Sequence, residues 1–312
     1  METKKIKRKG MRDVGELIFY ICLVALPLLQ VAVFYVYVNF NSILMSFQTY
    51  DTLSGTFKWD VGADFGRNFK LFWDELAGEN AFLGKAFLNS LYLWILTALV
   101  GRLLAILFSY YIYKKYVLDK FFKFFLFLPS VLPGILLVLV FKNFADEAIP
   151  GYLFEVFGKT INPLLHRSSP SMMPTIYFFN IWVSFGGQIL IYTGSMDQIA
   201  PEIIEAGEVD GVKPYQEFFF IVVPMILPTV ATFMVASVAT LFTNQASLYS
   251  FYGDGVEPEN YTIGYYLFEL VNRVGVGKSK YGYASALGII CTCIAFPLTL
   301  LVRRLLEGKE ER

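Results

Sequence analysis

Glu205-Ala206-Gly207-Glu208-Val209-Asp210-Gly211-Val212, with Phe218 and Ile221-Val222-Val223-Pro224-Met225-Ile226-Leu227-Pro228 behind it, is the stretch that decides how this chain is read. It is acidic, yet long apolar segments lie on either side. It is too charged to sit in lipid and carries little of the basic charge of an ordinary cytoplasmic connector. Pro201 suits the first position of a short helix. Glu202, Glu205 and Glu208 recur every third residue and form one acidic stripe. Ile203, Ile204, Ala206 and Gly207 form a second face, apolar and then small, which lets another backbone come close. Gly211 is placed to end the helix in the left-handed conformation, and Asp210 to bond the amides of the following turn. Pro214 starts a second helix that runs through Phe218 and Ile221 into an apolar span. The expected element is a helix–turn–helix at the membrane face, tied to a membrane-crossing rod. The residues alone leave two readings open: a joint that passes force from a partner, and a plain amphipathic connector.

Composition supplies the membrane. Of 312 residues 56% are hydrophobic and only 17% charged, against roughly 25% charged in soluble domains. The apolar residues come in long blocks. A hydrocarbon core takes about 20 helical residues to cross, and six segments qualify, at about 17–40, 86–113, 121–141, 172–193, 218–241 and 281–302. An all-α, polytopic membrane protein with six transmembrane helices follows. The fourth segment has an interrupted apolar run carrying Asn180, Gly186, Gly187 and Gln188, residues that membrane helices keep where neighbours pack closely or polar groups face inward. The basic start of the chain looks like a signal-peptide n-region. The apolar run behind it is too long and shows no small-x-small cleavage site, so an uncleaved first span is expected.

Basic residues set the orientation. Lys4, Lys5, Lys7, Arg8, Lys9 and Arg12, then Lys114, Lys115 and Lys120, then Lys213, then Arg303, Arg304, Lys309 and Arg312 all fall on the side that holds both termini. That side is predicted to be cytoplasmic, and the acidic stretch faces it. Three outside loops are expected. The first, 41–85, reads as a small folded cap; the second, 142–171, carries a candidate short helix at 152–157; the third, 242–280, is rich in Tyr and Gly. Zero formal net charge gives no basis for a nucleic-acid partner.

The acidic stretch resembles the signature loop of binding-protein-dependent ABC importer permeases: Glu-Ala-Ala, two residues, Asp-Gly-Ala, then an aromatic, Ile, Leu-Pro and a second Pro. Glu205, Ala206, Asp210, Gly211, Phe218, Ile221, Pro224 and Pro228 match; Gly207, Val212 and Val223 are small or apolar replacements. Asn89-Ser90-Leu91, Leu128-Pro129-Ser130-Val131-Leu132-Pro133, the segment 242–252 and Thr262-Ile263-Gly264-Tyr265-Tyr266-Leu267-Phe268 are similar to the sugar-importing branch that includes the maltose and glycerol-phosphate permeases. The resemblance implies a type I ABC importer permease fold with a MetI-like transmembrane domain. It divides the chain into a cytoplasmic N-terminus (1–16), a first span (17–40), an extracytoplasmic loop (41–85), the importer domain proper (86–303, five helices, coupling loop at about 196–217) and a cytoplasmic tail (304–312). It implies a second homologous permease subunit, two ATP-binding subunits that hold the ATP and Mg, and an extracytoplasmic solute-binding protein that delivers a carbohydrate, expected to be an oligosaccharide. Glu202, Glu205, Ala206, Gly207, Glu208, Asp210 and Gly211 would form the coupling helix gripped by an ATPase. The setting implied is a bacterial cytoplasmic membrane, with both termini inside.

The remaining residues are weighed against that frame. Sugar contacts should be polar or aromatic and near mid-membrane. Asn180, Gln188, Asn244, Gln245, Tyr249, Tyr265 and Tyr266 are the candidates; the competing role is to hold helices together. Arg102 lies inside the second span and must face protein or water, satisfied by a carboxylate or by backbone carbonyls. Gly277-Lys278-Ser279 looks like the end of a phosphate-binding loop, but Asn272 stands where its first Gly belongs. Cys22, Cys291 and Cys293 are expected as buried free thiols. One histidine, His166, expected at the surface, leaves no zinc or histidine-based catalytic set, so no catalytic or metal site is expected and the chain is not read as an enzyme. An ion-gradient-driven secondary transporter or channel is the alternative; against it, no span carries the paired acids that couple ions. A membrane enzyme is a third class, and the spans lack a nucleophile–base pair.

Overall fold

A computed structural model describes residues 14–78, 82–272 and 277–307. Lys4, Lys5, Lys7, Arg8, Lys9, Arg12, Lys309 and Arg312, on which the orientation argument partly rests, lie outside the described residues. The membrane-length helices are α1 (Gly15–Met45), α3 (Phe82–Tyr113), α6 (Met172–Met196), α8 (Pro214–Ala239) and α11 (Lys278–Leu306), and the pair α4 (Asp119–Val131) and α5 (Gly134–Phe157) makes one broken span. Between them lie the hairpin β1 (Gln48–Asp51) and β2 (Thr56–Trp59), then α2 (Arg67–Ala77), α7 (Pro201–Val209), α9 (Leu248–Tyr252) and α10 (Ile263–Asn272).

The six expected spans are present with two changes. The third bends by 108° at its middle. Pro133 has no amide to continue the helix and forces Leu132 into an extended conformation (φ −73°, ψ 144°). The helix restarts behind it and runs on to Phe157, so the short helix expected at 152–157 is the end of this arm. The fourth span, interrupted in sequence, is one unbroken helix. At Gly186 an added Cβ would stand 2.5 Å from the Leu126 carbonyl oxygen. The glycine is what lets α4 lie against α6.

The described part of the 41–85 loop folds as a cap, as expected, but it contains the β1–β2 hairpin, an exception to an all-α reading. Gln48 pairs with Trp59 and Asp51 with Thr56, antiparallel. Buried Asn68 of α2 donates from Nδ2 to the Ser46 and Gln48 carbonyls, 3.0 Å each. Tyr266 of α10 donates to Glu75 Oε2 at 3.0 Å, and Tyr283 of α11 donates to the same oxygen. Gly282 leaves room for the hairpin backbone beside α11, since a Cβ there would stand only 2.3 Å from Gln48 O.

The third loop is only partly at the surface. Ala246, Leu248, Ile263 and Tyr265 are buried. Asn89 Nδ2 donates to the Glu259 and Tyr261 carbonyls, 3.0 Å each, and Ile263 N–H donates to Ser90 Oγ at 2.8 Å. Gly264 sits against the Asn244 carbonyl. The segment 244–266 therefore folds back into the bundle as a plug.

Two apolar cores result. One, near the cap, gathers Leu93, Phe179, Leu241, Leu248, Ile263 and Tyr265. The other, near the α7 end, gathers Ala105, Phe185, Tyr192, Phe218, Val222 and Ile226. Cys291 is buried, but Cys22 and Cys293 are exposed on the outside of the isolated chain. The expectation of three buried thiols holds only for Cys291, because apolar sequence in a membrane helix does not distinguish a lipid-facing side from a packed one. His166 is exposed, as expected.

Candidate functional site: a clamped loop helix and a polar mid-bundle cavity

Helix α7 begins at Pro201 and ends in two interlocked backbone bonds. Gly211 N–H donates to Glu208 O at 3.1 Å, and Val212 N–H donates to Gly207 O at 3.0 Å. This is the Schellman arrangement, and it needs the left-handed φ of +74° that Gly211 adopts. Among the described residues the Asp210 carboxylate has no hydrogen-bond partner, so the turn is not held by that side chain as expected. Backbone carbonyls satisfy its amides instead, and Asp210 is exposed.

Ile204 and Gly207 face inward, while Glu202, Ile203, Glu205, Ala206 and Val209 face out. A Cβ at Gly207 would lie 3.1 Å from Ile221 Cδ1. The small residue expected to let another backbone come close admits this chain's own α8, through the Ile221 side chain. Ala206 is the small residue left outside.

Glu208 leaves the acidic stripe to join a clamp. Lys114, at the end of α3, places Nζ 3.3 Å from Glu208 Oε1 and 3.1 Å from Glu217 Oε1. Nζ donates hydrogen bonds to Glu208 Oε1 at 3.3 Å and to Glu217 Oε2 at 3.1 Å, so Glu217 Oε1 is held by charge alone. Glu217 is buried at 4% exposure. Tyr110 donates to Pro214 O at 3.1 Å and packs on the Phe218 ring. Three elements meet here: α3, α7 and the start of α8. Burial alone would lower the Lys114 pKa, but the Glu217 hydrogen bond, the Glu217 charge and then Glu208 outweigh it and raise the value. Sequence reading missed Lys114 and Glu217 as a pair, because 103 residues separate them.

The second feature is a polar cavity of about 240 Å³ at the middle of the bundle, between the two apolar cores. Thr97, Ala98 and Arg102 of α3, Asn180, Ser184 and Gln188 of α6, and Ser237, Thr240 and Asn244 at the end of α8 line it. Three of the expected path residues, Asn180, Gln188 and Asn244, are thereby brought together. Their spacing on α6 places Asn180, Ser184 and Gln188 on one stripe. Asn180 Nδ2 also donates to Ile176 O and Ala246 O, at 2.8 and 3.0 Å, so it serves packing too.

The other candidates lie elsewhere. Tyr265 is buried in the cap-side core and donates to Gly253 O at 2.7 Å. Tyr266 is buried beside Glu75. Tyr249 is exposed and packs on Phe268, and Gln245 is half-buried outside the cavity. Aromatic composition did not reveal this, because these tyrosines belong to the plug.

A broken-span helix bundle with a polar centre and a clamped helix at one end defines a membrane transport protein. Comparison with known proteins agrees. The family model "Binding-protein-dependent transport system inner membrane component" matches residues 98–309. The chain belongs to this family of ABC importer permeases and is a multi-pass membrane protein. It is 25% identical over 265 residues to the Multiple sugar-binding transport system permease protein MsmF of Streptococcus mutans, covering 85% of this chain and 87% of that one. It is 28% identical to the Maltose/maltodextrin transport system permease protein MalF of Klebsiella aerogenes, over 48% of this chain and 29% of MalF. The chain thus spans most of MsmF but less than a third of MalF. In structure it is similar to a chain of a bacterial ABC transporter involved in the import of the acidic polysaccharide alginate, with TM-score 0.73 and 19% identity over 94% of this chain and 96% of that one. That likeness carries the fold: a type I importer permease.

Proposed function

We propose that this chain is one permease half of an ATP-driven importer for a carbohydrate, an oligosaccharide by the company of its relatives, in a bacterial cytoplasmic membrane with both termini inside. It pairs with a second homologous permease, two ATP-binding subunits that carry ATP and Mg, and an extracytoplasmic solute-binding protein. The chain itself performs no hydrolysis. The observation that carries the reading is α7, locked by its Schellman turn and the Lys114 clamp to α3 and α8. A lever locked at its C-terminal end to α3 and α8 moves the helices it is fixed to.

In this reading Glu202, Glu205, Ala206 and Asp210 meet the ATPase. Gly207, Glu208 and Gly211 hold the helix at its angle. Closure of the ATPases drags α7, and the lower core moves with it relative to the cap-side core. The cavity lined by Asn180, Gln188 and Asn244 lies between those two bodies, where alternating access puts a substrate path. The exposed apolar faces of α1 and the groove it forms with α11, lined by Ile43, Phe242 and Gly288 among others, are covered by lipid and the second permease.

Purification in mild detergent tests this. Stoichiometric ATPase subunits are expected to accompany the chain, and uptake into proteoliposomes is expected to require ATP and the binding protein. Uptake by this chain alone, driven by an ion gradient, would support the secondary-transporter alternative instead.

A further inference from the structure

Arg102 is the one charged side chain that lines the mid-bundle cavity, and its charge is unbalanced. It is 5% exposed and lies within the span α3. Nε donates to Tyr192 Oη at 3.1 Å, Nη1 to Ala98 O and Met234 Sδ at 2.9 Å each, and Nη2 to Phe233 O at 3.0 Å. Every acceptor is neutral. Among the described residues no carboxylate stands within ion-pair distance of it. A guanidinium has five N–H donors; these four bonds leave one of the Nη2 donors over.

A helix staple does not need this charge. A neutral amide bonds carbonyls without taking an uncompensated cation into a membrane bundle, which is costly. The backbone is also adapted at this point. The turn before Arg102, Leu96–Gly101, is widened to a π-helix, as Val31–Tyr37, Phe144–Ala148 and Glu217–Val222 also are, and here it brings Thr97 and Ala98 to the cavity. Gly101 leaves space for Ser184 on the facing helix, whose Oγ would lie 2.9 Å from a Cβ there. The π turn, the arginine and the amides of Asn180, Gln188 and Asn244 converge on one small polar volume.

We infer that this cavity binds the carboxylate of an acidic sugar unit. Arg102 supplies the cation and the spare donor, and the amides and hydroxyls around it supply partners for sugar hydroxyls. The substrate class is then an oligouronate and not a neutral oligosaccharide. This rests on the permease reading above and adds to it the charge of the cargo. Charge-assisted bonds in a low-dielectric site are strong, so the preference is expected to be set here as well as in the binding protein.

The test uses the assembled importer in proteoliposomes with its binding protein and ATP. Uptake is read for trigalacturonate, its methyl ester, which keeps the skeleton without the charge, and maltotriose. The wild type is expected to prefer trigalacturonate over the ester. Arg102→Gln is expected to lower that ratio about tenfold, the scale of one lost charge-assisted bond. Because the ratio is taken within one preparation, a general loss of assembled protein cancels. Arg102→Lys keeps the charge and is expected to keep the preference for the acid, which covers the case in which the glutamine variant does not assemble. A wild type that carries only the ester or maltotriose, a ratio unchanged by Arg102→Gln, or a ratio lost in Arg102→Lys overturns the inference while the importer reading stands. Failure of all three sugars to enter with ATP overturns this inference, and absence of co-purifying ATPase subunits overturns the importer reading itself.

Discussion

Lys114 holds more of the mechanism than its sequence context suggests. Among the described residues it is the only basic partner of Glu217, and it also reaches Glu208. Lys114→Met leaves the Glu217 carboxylate buried and unpaired. Breaking such a pair typically costs about 3–5 kcal/mol, and the partial exposure of Lys114 places this case near 3. The expected outcome is a lower melting temperature and weaker stimulation of ATPase activity by the binding protein; Lys114→Met combined with Glu217→Gln should recover much of the stability. The sign of the pH dependence follows from the raised Lys114 pKa. A pKa raised on folding contributes stability that is whole below the unfolded value of about 10.4 and fades as pH climbs through the folded one. Thermal unfolding followed against pH should therefore show the difference between wild type and Lys114→Met constant up to about pH 9. Gly211 is the other decisive residue. Gly211→Val puts a β-branched side chain at φ +74°, a conformation that costs about 1–2 kcal/mol without glycine. Membrane insertion should be normal, and the gain of ATPase activity on adding loaded binding protein should fall. An unchanged gain would remove α7 from the coupling role.

Helices α4 and α6 meet where no side chain intervenes. A Cβ at Gly186 would lie 2.5 Å from a backbone oxygen, which cannot turn aside as a side chain does. Gly186→Leu is thus expected to destabilise by about 1–3 kcal/mol or more, visible as a lower detergent melting temperature, with loss of transport in proportion. Gly187, one residue on, meets only Ser130 Cβ at 3.9 Å, so Gly187→Ala should be close to neutral. The same helix shows what pattern reading gives and withholds. Its interrupted hydropathy announced polar groups facing inward, and Asn180 and Gln188 do reach the cavity. It did not announce that the helix is continuous; the prolines of the third span did mark a kink there, though not which of the two would break the helix. Pro129 is carried within α4, and Pro133 ends it; two prolines four residues apart look alike in sequence and act differently because only one has a neighbour pushed out of the helical region.

At the scale of the molecule, α3 and α6 run through both apolar cores, with the polar cavity between them. The isolated chain leaves α1 without a buried residue in its most apolar window. In the proposed assembly a second permease covers this apolar surface. The co-purified complex is accordingly expected to melt several degrees above the isolated chain, since binding to the folded state alone raises its stability. Equal melting temperatures would mean that the chain is complete by itself, which contradicts a permease half.

Sequence alone was enough for the membrane class, the membrane-length helices and the helix–turn–helix that begins at Pro201. Each is a local property: apolar length, proline and glycine placement, and a short motif read along one stretch. Tertiary structure decided what depends on residues far apart in the chain. It set Lys114 on Glu217, turned Gly207 inward and Ala206 outward, folded the 244–266 segment into the core with Tyr265 and Tyr266, and gathered Arg102 with Asn180, Gln188 and Asn244. Those outcomes follow from which helix faces pack together. A membrane helix is apolar on every side, so periodicity does not say which side that will be.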